Sequence, residues 1–221
     1  MDTIGPKKSL VDQTYEILLD AICTGELVPG ERLTQDQIAA RLNVSRQPVN
    51  SAISILKANH FVEDTGRRGV VVSALDPDLL RSILEFRGVI EPFAVRLAGE
   101  RLPPDAAAES GAALRRGWQA VAAGDARALL QADAAFHEML YRWTGNPVIQ
   151  TTMRLNWHHI RRTMAEAVRD PDSARRVWDD HDAIIAGLLA GRIDDAAERM
   201  RQHVGASRYR LPPGFSGARP G

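Results

Sequence analysis

Asp133 and His137 lie four residues apart, and two further histidines, His181 and His203, follow where helical spacing would turn them toward apolar neighbours. A spacing of four puts two side chains on one helix face, so a carboxylate and an imidazole there can reach one ion together. Phe136 and Leu140 continue that face. His181 precedes Ile184, Ile185, Leu188 and Leu189, and His203 sits between Met200 and Val204. Three imidazoles and one carboxylate form a ligand set for zinc, nickel, copper or iron, rather than for magnesium or calcium alone. For any single histidine beside an apolar face, the commoner role is that of a hydrogen-bonded core or boundary residue.

Helices must carry these groups. Six are expected from apolar spacing, at about residues 78–101, 104–123, 125–143, 147–168, 172–190 and 193–208. Pro103-Pro104, Gly124-Asp125, Gly145-Asn146-Pro147, Asp170-Pro171 and Gly191-Arg192 punctuate them. Asp76-Pro77 marks the boundary with what precedes, because proline disfavours helix in the residue before it and starts the next one well. The expected layout is a flexible arm over 1–9, one domain over 10–74, an all-α domain over 75–208 and a flexible tail over 209–221.

The first third reads as a winged helix-turn-helix. Leu10, Val11, Tyr15, Leu18, Leu19 and Ile22 recur at helical spacing, and a turn over 28–33 follows. Thr34 is a candidate N-cap for a helix over about 35–42, and Ser45 for another over about 46–58. Asn43-Val44 fill the short gap, the signature of two helices joined by a tight turn. Phe61-Val62-Glu63-Asp64 and Val70-Val71-Val72-Ser73 bracket Thr65-Gly66-Arg67-Arg68-Gly69 as a two-stranded hairpin, the expected wing.

A recognition helix presents donors, acceptors or small residues in its first turns, and Ser45, Arg46, Gln47 and Asn50 meet that need while Val49, Ile53 and Leu56 form the inward stripe. Arg67 and Arg68 at the wing tip are candidates for phosphate or minor-groove contact. The formal net charge is zero. Residues 1 to 76 carry 8 Lys and Arg against 10 Asp and Glu, so any DNA binding rests on local clusters and not on bulk charge. The single cysteine, Cys23, excludes an internal disulfide or a multi-cysteine zinc site and suits a reducing cytoplasm. Charge interrupts every long apolar stretch, so no membrane span is expected.

Pro29-Gly30-Glu31-Arg32-Leu33, Ile38 to Val49 with its Val44-Ser45-Arg46-Gln47-Pro48-Val49 core, and Gly66-Arg67-Arg68-Gly69-Val70 resemble the N-terminal domain of GntR-family regulators. The resemblance covers about residues 10–74 and adds Arg32 to the expected DNA contacts. Two departures stand out: Asn50-Ser51-Ala52-Ile53 replaces the family's common Arg-Glu-Ala-Leu, and His60-Phe61 precedes the wing where Gly-Leu is frequent. Further on, Asp133-Ala134-Ala135-Phe136-His137, Thr144-Gly145-Asn146-Pro147, Asp180-His181 and Gln202-His203 resemble the FCD ligand-binding domain of the FadR-like subfamily. Six helices instead of seven point to its shorter, VanR-like branch.

That resemblance implies that Asp133, His137, His181 and His203 are metal ligands, with zinc first and nickel or another divalent transition metal as alternatives. It also implies that Arg87 contacts an effector carboxylate. The plainer role for Arg87 is a salt bridge to Glu91, four residues on. Arg161, in the cluster Trp157-His158-His159-Ile160-Arg161-Arg162, is a second effector candidate. The expected protein is a cytoplasmic homodimeric transcription factor, a repressor, whose affinity for double-stranded operator DNA answers to a small organic acid at a metal site. A metal-dependent enzyme with an accessory winged helix is the alternative from another class, although no Asp or Glu is placed as a general base. A metal-free regulator that uses the same histidines to bind effector is the third.

Overall fold

The computed structural model describes residues 8–66, 69–167 and 170–207. Its contacts divide the chain into two compact units, Met1–Leu75 and Asp76–Gly221.

The first unit contains α1 (Leu10–Thr24), β1 (Arg32–Leu33), α2 (Gln35–Leu42), α3 (Arg46–Ala58), β2 (Val62–Asp64) and β3 (Val70–Val72). A capping box starts α1: the Asp12 amide donates to Ser9 Oγ at 3.1 Å, and the Ser9 amide donates to Asp12 Oδ2 at 3.3 Å. Thr34 caps α2 by accepting from the Gln37 amide at 3.3 Å. Ser45 precedes α3 in extended backbone, but its side chain makes no capping hydrogen bond, contrary to the expectation from sequence. Asn43, at φ 52°, turns the chain between α2 and α3 in the left-handed region that asparagine tolerates. Leu18, Leu19 and Ile22 of α1 pack with Val49, Ile53 and Leu56 of α3, and Phe61, Val62, Val70 and Val72 join the same core.

The wing differs from the expected two-stranded hairpin. It is a three-stranded antiparallel sheet in the order β1-β3-β2, with Arg32 opposite Val71 and Leu33 opposite Val70. The segment read as turn therefore supplies an edge strand. Gly69 permits the approach: at φ 112°, a Cβ there would meet the Leu33 carbonyl oxygen at 2.6 Å. Arg67 and Arg68 lie outside the described residues, as do the tail over 209–221 and all of the arm except Lys8 and Ser9.

The second unit is all helix among its described residues: α4 (Pro77–Glu100), α5 (Ala106–Ala123), α6 (Ala126–Trp143), α7 (Pro147–Ala167), α8 (Pro171–Leu189) and α9 (Ile193–Ser207). Asp76 and Asp170 cap α4 and α8 through their carboxylates, each followed by proline in the first turn, where a missing amide costs nothing. α4 packs against α9, α6, α7 and α8; α5 lies against α6 and α8, and α8 against α9. Phe136, Met139 and Leu140 of α6, Trp178, Ile184 and Leu188 of α8, and Met200 and Val204 of α9 form the larger core. Tyr141, Met153, Trp157 and Ile160 form a second cluster with Ile83 and Ala94 of α4. No helix among the described residues is long and apolar enough to cross a membrane.

Candidate metal centre and nucleic-acid interface

Within the second unit, α6, α8 and α9 bring Asp133, His137, His181 and His203 together, with one ligand atom from each lying within 4.8 Å of the others. All four side chains are buried. Asp133 Oδ1 is 3.4 Å from His181 Nε2 and 3.9 Å from His137 Nε2. Phe136 stacks on the His181 ring at 3.9 Å between centroids, and Trp178 meets it edge-on at 4.7 Å. The apolar residues read as core therefore brace this candidate ligand set.

Two carboxylates stand on the far sides of two imidazoles. Glu91 Oε2 of α4 lies 3.1 Å from His137 Nδ1, a hydrogen-bonding separation although the ring is not in line for a straight bond. Asp180 Oδ2 of α8 lies 3.3 Å from His203 Nδ1, and Arg199 Nη2 holds Asp180 Oδ1 at 2.8 Å. Burial lowers the His203 pKa, partly opposed by Asp180, so the imidazole is neutral near neutral pH and its nitrogen lone pair is available. Among the described residues, Asp133 Oδ1 and His137 Nε2 are buried without a hydrogen-bond partner, an arrangement that is costly unless something else satisfies them. Buried nitrogen and carboxylate donors that face one another are the chemistry a divalent transition metal takes. Ligand atoms across one such ion span roughly 4 Å, given bonds of about 2.0–2.2 Å. The residues present fit the group.

Arg87 is fully inside. Its Nε donates to Glu91 Oε1 at 2.5 Å, and its guanidinium lies over the Trp157 ring at 4.6 Å. The salt bridge weighed from sequence is therefore formed, and it borders the ligand set. Burial alone would raise the Glu91 carboxyl, but Arg87 and His137 outweigh it and hold that group well below the usual carboxylate range. Tyr141 donates from its hydroxyl to Glu91 Oε1 at 2.8 Å and accepts from Trp157 Nε1 at 3.0 Å. Burial and then the Glu91 charge push the Tyr141 hydroxyl well above its ordinary pKa, so it remains a donor. Glu91, Asp180 and Tyr141 were not singled out as site residues from sequence; the signals were Glu91 at helical spacing from Arg87 and Asp180 beside His181 in the motif that carries the resemblance. Arg161 is half-buried on α7, as are His158, His159 and Arg162.

In the first unit, Ser45, Arg46, Gln47 and Asn50 are exposed on the opening turns of α3, while Pro48, Val49, Ala52, Ile53 and Leu56 are buried. Arg46 Nε pairs with Asp36 Oδ1 of α2 at 2.5 Å, an exposed contact of the kind worth about 0–1 kcal/mol and readily exchanged for phosphate. Arg32 is exposed on β1.

The chain matches the description "Bacterial regulatory proteins, gntR family" over residues 10–72 and the FCD domain over residues 82–206. It belongs to the gntR family. This regulator is 30% identical over 178 residues to the Nta operon transcriptional regulator of Aminobacter aminovorans, covering 76% of this chain and 77% of that one. It is 25% identical over 205 residues to the HTH-type transcriptional repressor RspR of Escherichia coli (strain K12), covering 91% of this chain and 88% of the other. The solved structure of E. coli McbR/YncC shares the fold with a TM-score of 0.79 at 22% identity, over 91% of this chain and 96% of that one. The regulator is thus a DNA-binding transcriptional regulator with a GntR-type reading domain and an FCD domain.

Proposed function

We propose that the FCD domain of this regulator holds a divalent transition metal, zinc first, through Asp133, His137, His181 and His203, and that a small organic acid bound beside it controls operator affinity. The convergence of four buried ligand atoms within 4.8 Å carries the reading. When bound, the metal supplies a Lewis-acidic position for a carboxylate oxygen. The chain's own part is to keep the His203 imidazole neutral, to exclude bulk water with Phe136, Trp157 and Trp178, and to place the Arg87 guanidinium next to the proposed ligands.

The reading domain is proposed to place α3 in the major groove, with Ser45, Arg46, Gln47 and Asn50 toward base edges and Arg32, Arg67 and Arg68 toward the backbone. A homodimer would set two such helices at the spacing of a roughly palindromic operator. Effector binding then shifts the population between arrangements that differ in that spacing. A repressor role is supported by the name of the relative RspR, and the same relatives favour regulation over catalysis.

Elemental analysis of the purified protein tests the metal: one ion per chain is expected, lost in His181→Ala. Equal metal content in both proteins sinks the ligand assignment, and a metal-free wild type that still binds an organic acid transfers these histidines to the effector itself. A gel shift with DNA from beside the gene's own promoter tests the reading domain, with binding at low salt as the expected outcome.

A further inference from the structure

Glu91 occupies a place the four-ligand set does not explain. Its side chain is 0% exposed, and its two oxygens face chemically different neighbours. Oε1 accepts from Arg87 Nε at 2.5 Å and from the Tyr141 hydroxyl at 2.8 Å. Oε2 faces His137 Nδ1 at 3.1 Å. Tyr141 is anchored in turn by Trp157 Nε1, and the Trp157 ring lies under Arg87 and 4.7 Å from the His137 ring. The carboxylate is thus clamped through one oxygen and presents the other to the histidine.

A neutral imidazole carries one proton on one of two nitrogens, and the hydrogen bond at one nitrogen decides what the other can do. His137 Nε2 faces Asp133 Oδ1 at 3.9 Å, so the proton must sit on Nδ1 if Nε2 is to donate its lone pair. Glu91 Oε2, 3.1 Å from Nδ1, is the carboxylate oxygen within reach of that proton, needing only a small turn of the ring to accept it in line. Asp180 stands in the same relation to His203 Nδ1, with Arg199 on its other oxygen, but Glu91 differs in being fully buried where Asp180 is 16% exposed.

We propose that Glu91 is a positioning residue that fixes the Nδ1-protonated form of His137 and aims Nε2 at the site shared with Asp133, His181 and His203. The inference rests on the metal reading above for its consequence, but the tautomer it predicts exists without metal. Glu91 also balances the buried Arg87 charge, and a purely structural residue would do only that. The two roles separate in the double variant Arg87→Met/Glu91→Leu, which removes both charges together and refills the volume with apolar atoms, a replacement buried ion pairs often tolerate.

The experiment uses the full chain stripped of metal. Imidazole nitrogen NMR reads the His137 tautomer, thermal melting reads the fold, and zinc titrated against a chromogenic chelator reads affinity. Expected are an Nδ1-protonated His137 in the wild type, loss of that preference in Glu91→Gln and in the double variant, and zinc affinity reduced about 10–100-fold in both. The double variant should melt close to the wild type. A wild-type His137 protonated on Nε2 overturns the proposal without any variant. So does a folded double variant with unchanged tautomer and unchanged zinc affinity. Wild-type protein that shows the Nδ1 form but takes neither zinc nor nickel leaves the positioning intact and removes the metal reading instead.

Discussion

Tyr141 joins two buried groups through one oxygen, accepting from Trp157 Nε1 and donating to Glu91 Oε1. Tyr141→Phe keeps the ring's packing but leaves the indole N–H buried without its acceptor, a loss of about 1–3 kcal/mol. The expected outcome is a lower melting temperature for the second unit with its helical circular dichroism unchanged below the transition. An unshifted melt would mean that another acceptor takes the indole proton. The residues around this cluster differ in how far sequence exposes them. Asp133 and His137 are legible because four residues along one helix share a face, whatever that helix packs against. His181 and His203 carry no such internal sign, and only the resemblance set them apart from ordinary core histidines. Glu91 is harder still. Its bond to Arg87 follows from spacing within α4, whereas its approach to His137 depends on how α4 meets α6, which no local pattern encodes.

Elements were recoverable where their ends carry chemistry. α2 and α3 were bounded by Thr34 and by the Asn43 turn, and α4 and α8 by the Asp-Pro pairs that cap them. The strand β1 escaped notice because its two residues have no alternation to read; they become a strand only by pairing with β3, whose Val70 and Val71 lie well beyond α2 and α3 in sequence, an approach admitted by the bare Cα of Gly69. Helix packing was equally unreadable, as α5 shows. Its Gly117 lies against the Trp178 ring, where a Cβ would come within 2.1–2.3 Å of three ring atoms. Gly117→Ala must displace Trp178, whose ring also meets His181 at 4.7 Å. Overpacking of this kind costs about 1–3 kcal/mol, against under 1 kcal/mol gained from helix propensity, so a net destabilisation is expected by chemical denaturation. Because Trp178 braces His181, a proposed ligand, metal content should fall as well. A variant as stable as the wild type, with full metal content, would show that α5 and α8 can separate freely.

The whole molecule pairs a GntR-type reading unit and an FCD unit with separate cores and no net charge. Without a strongly basic surface, a single reading domain gains little from non-specific attraction to DNA, which is why the proposed function has operator contacts made twice, by two copies. For the proposed homodimer, the FCD domain has a candidate contact face. On α4, Phe86, Val89 and Phe93 are 41%, 75% and 47% exposed, and their spacing of three and four places them along one stripe. Such a stripe is self-complementary across a two-fold axis, the commonest symmetry of homo-oligomers. A charge placed at its centre would have to be buried unpaired in that contact. Val89→Glu is therefore expected to sediment as a monomer at concentrations where the wild type is a dimer, with its helical content and metal content preserved because Val89 faces away from the ligand set. Its operator affinity should drop at least 10-fold, since the second half-site would no longer be read by a tethered partner. Sedimentation velocity decides the matter: a Val89→Glu protein that remains dimeric would move the contact off this face of α4, while a monomer with undiminished operator binding would break the link between dimerisation and reading.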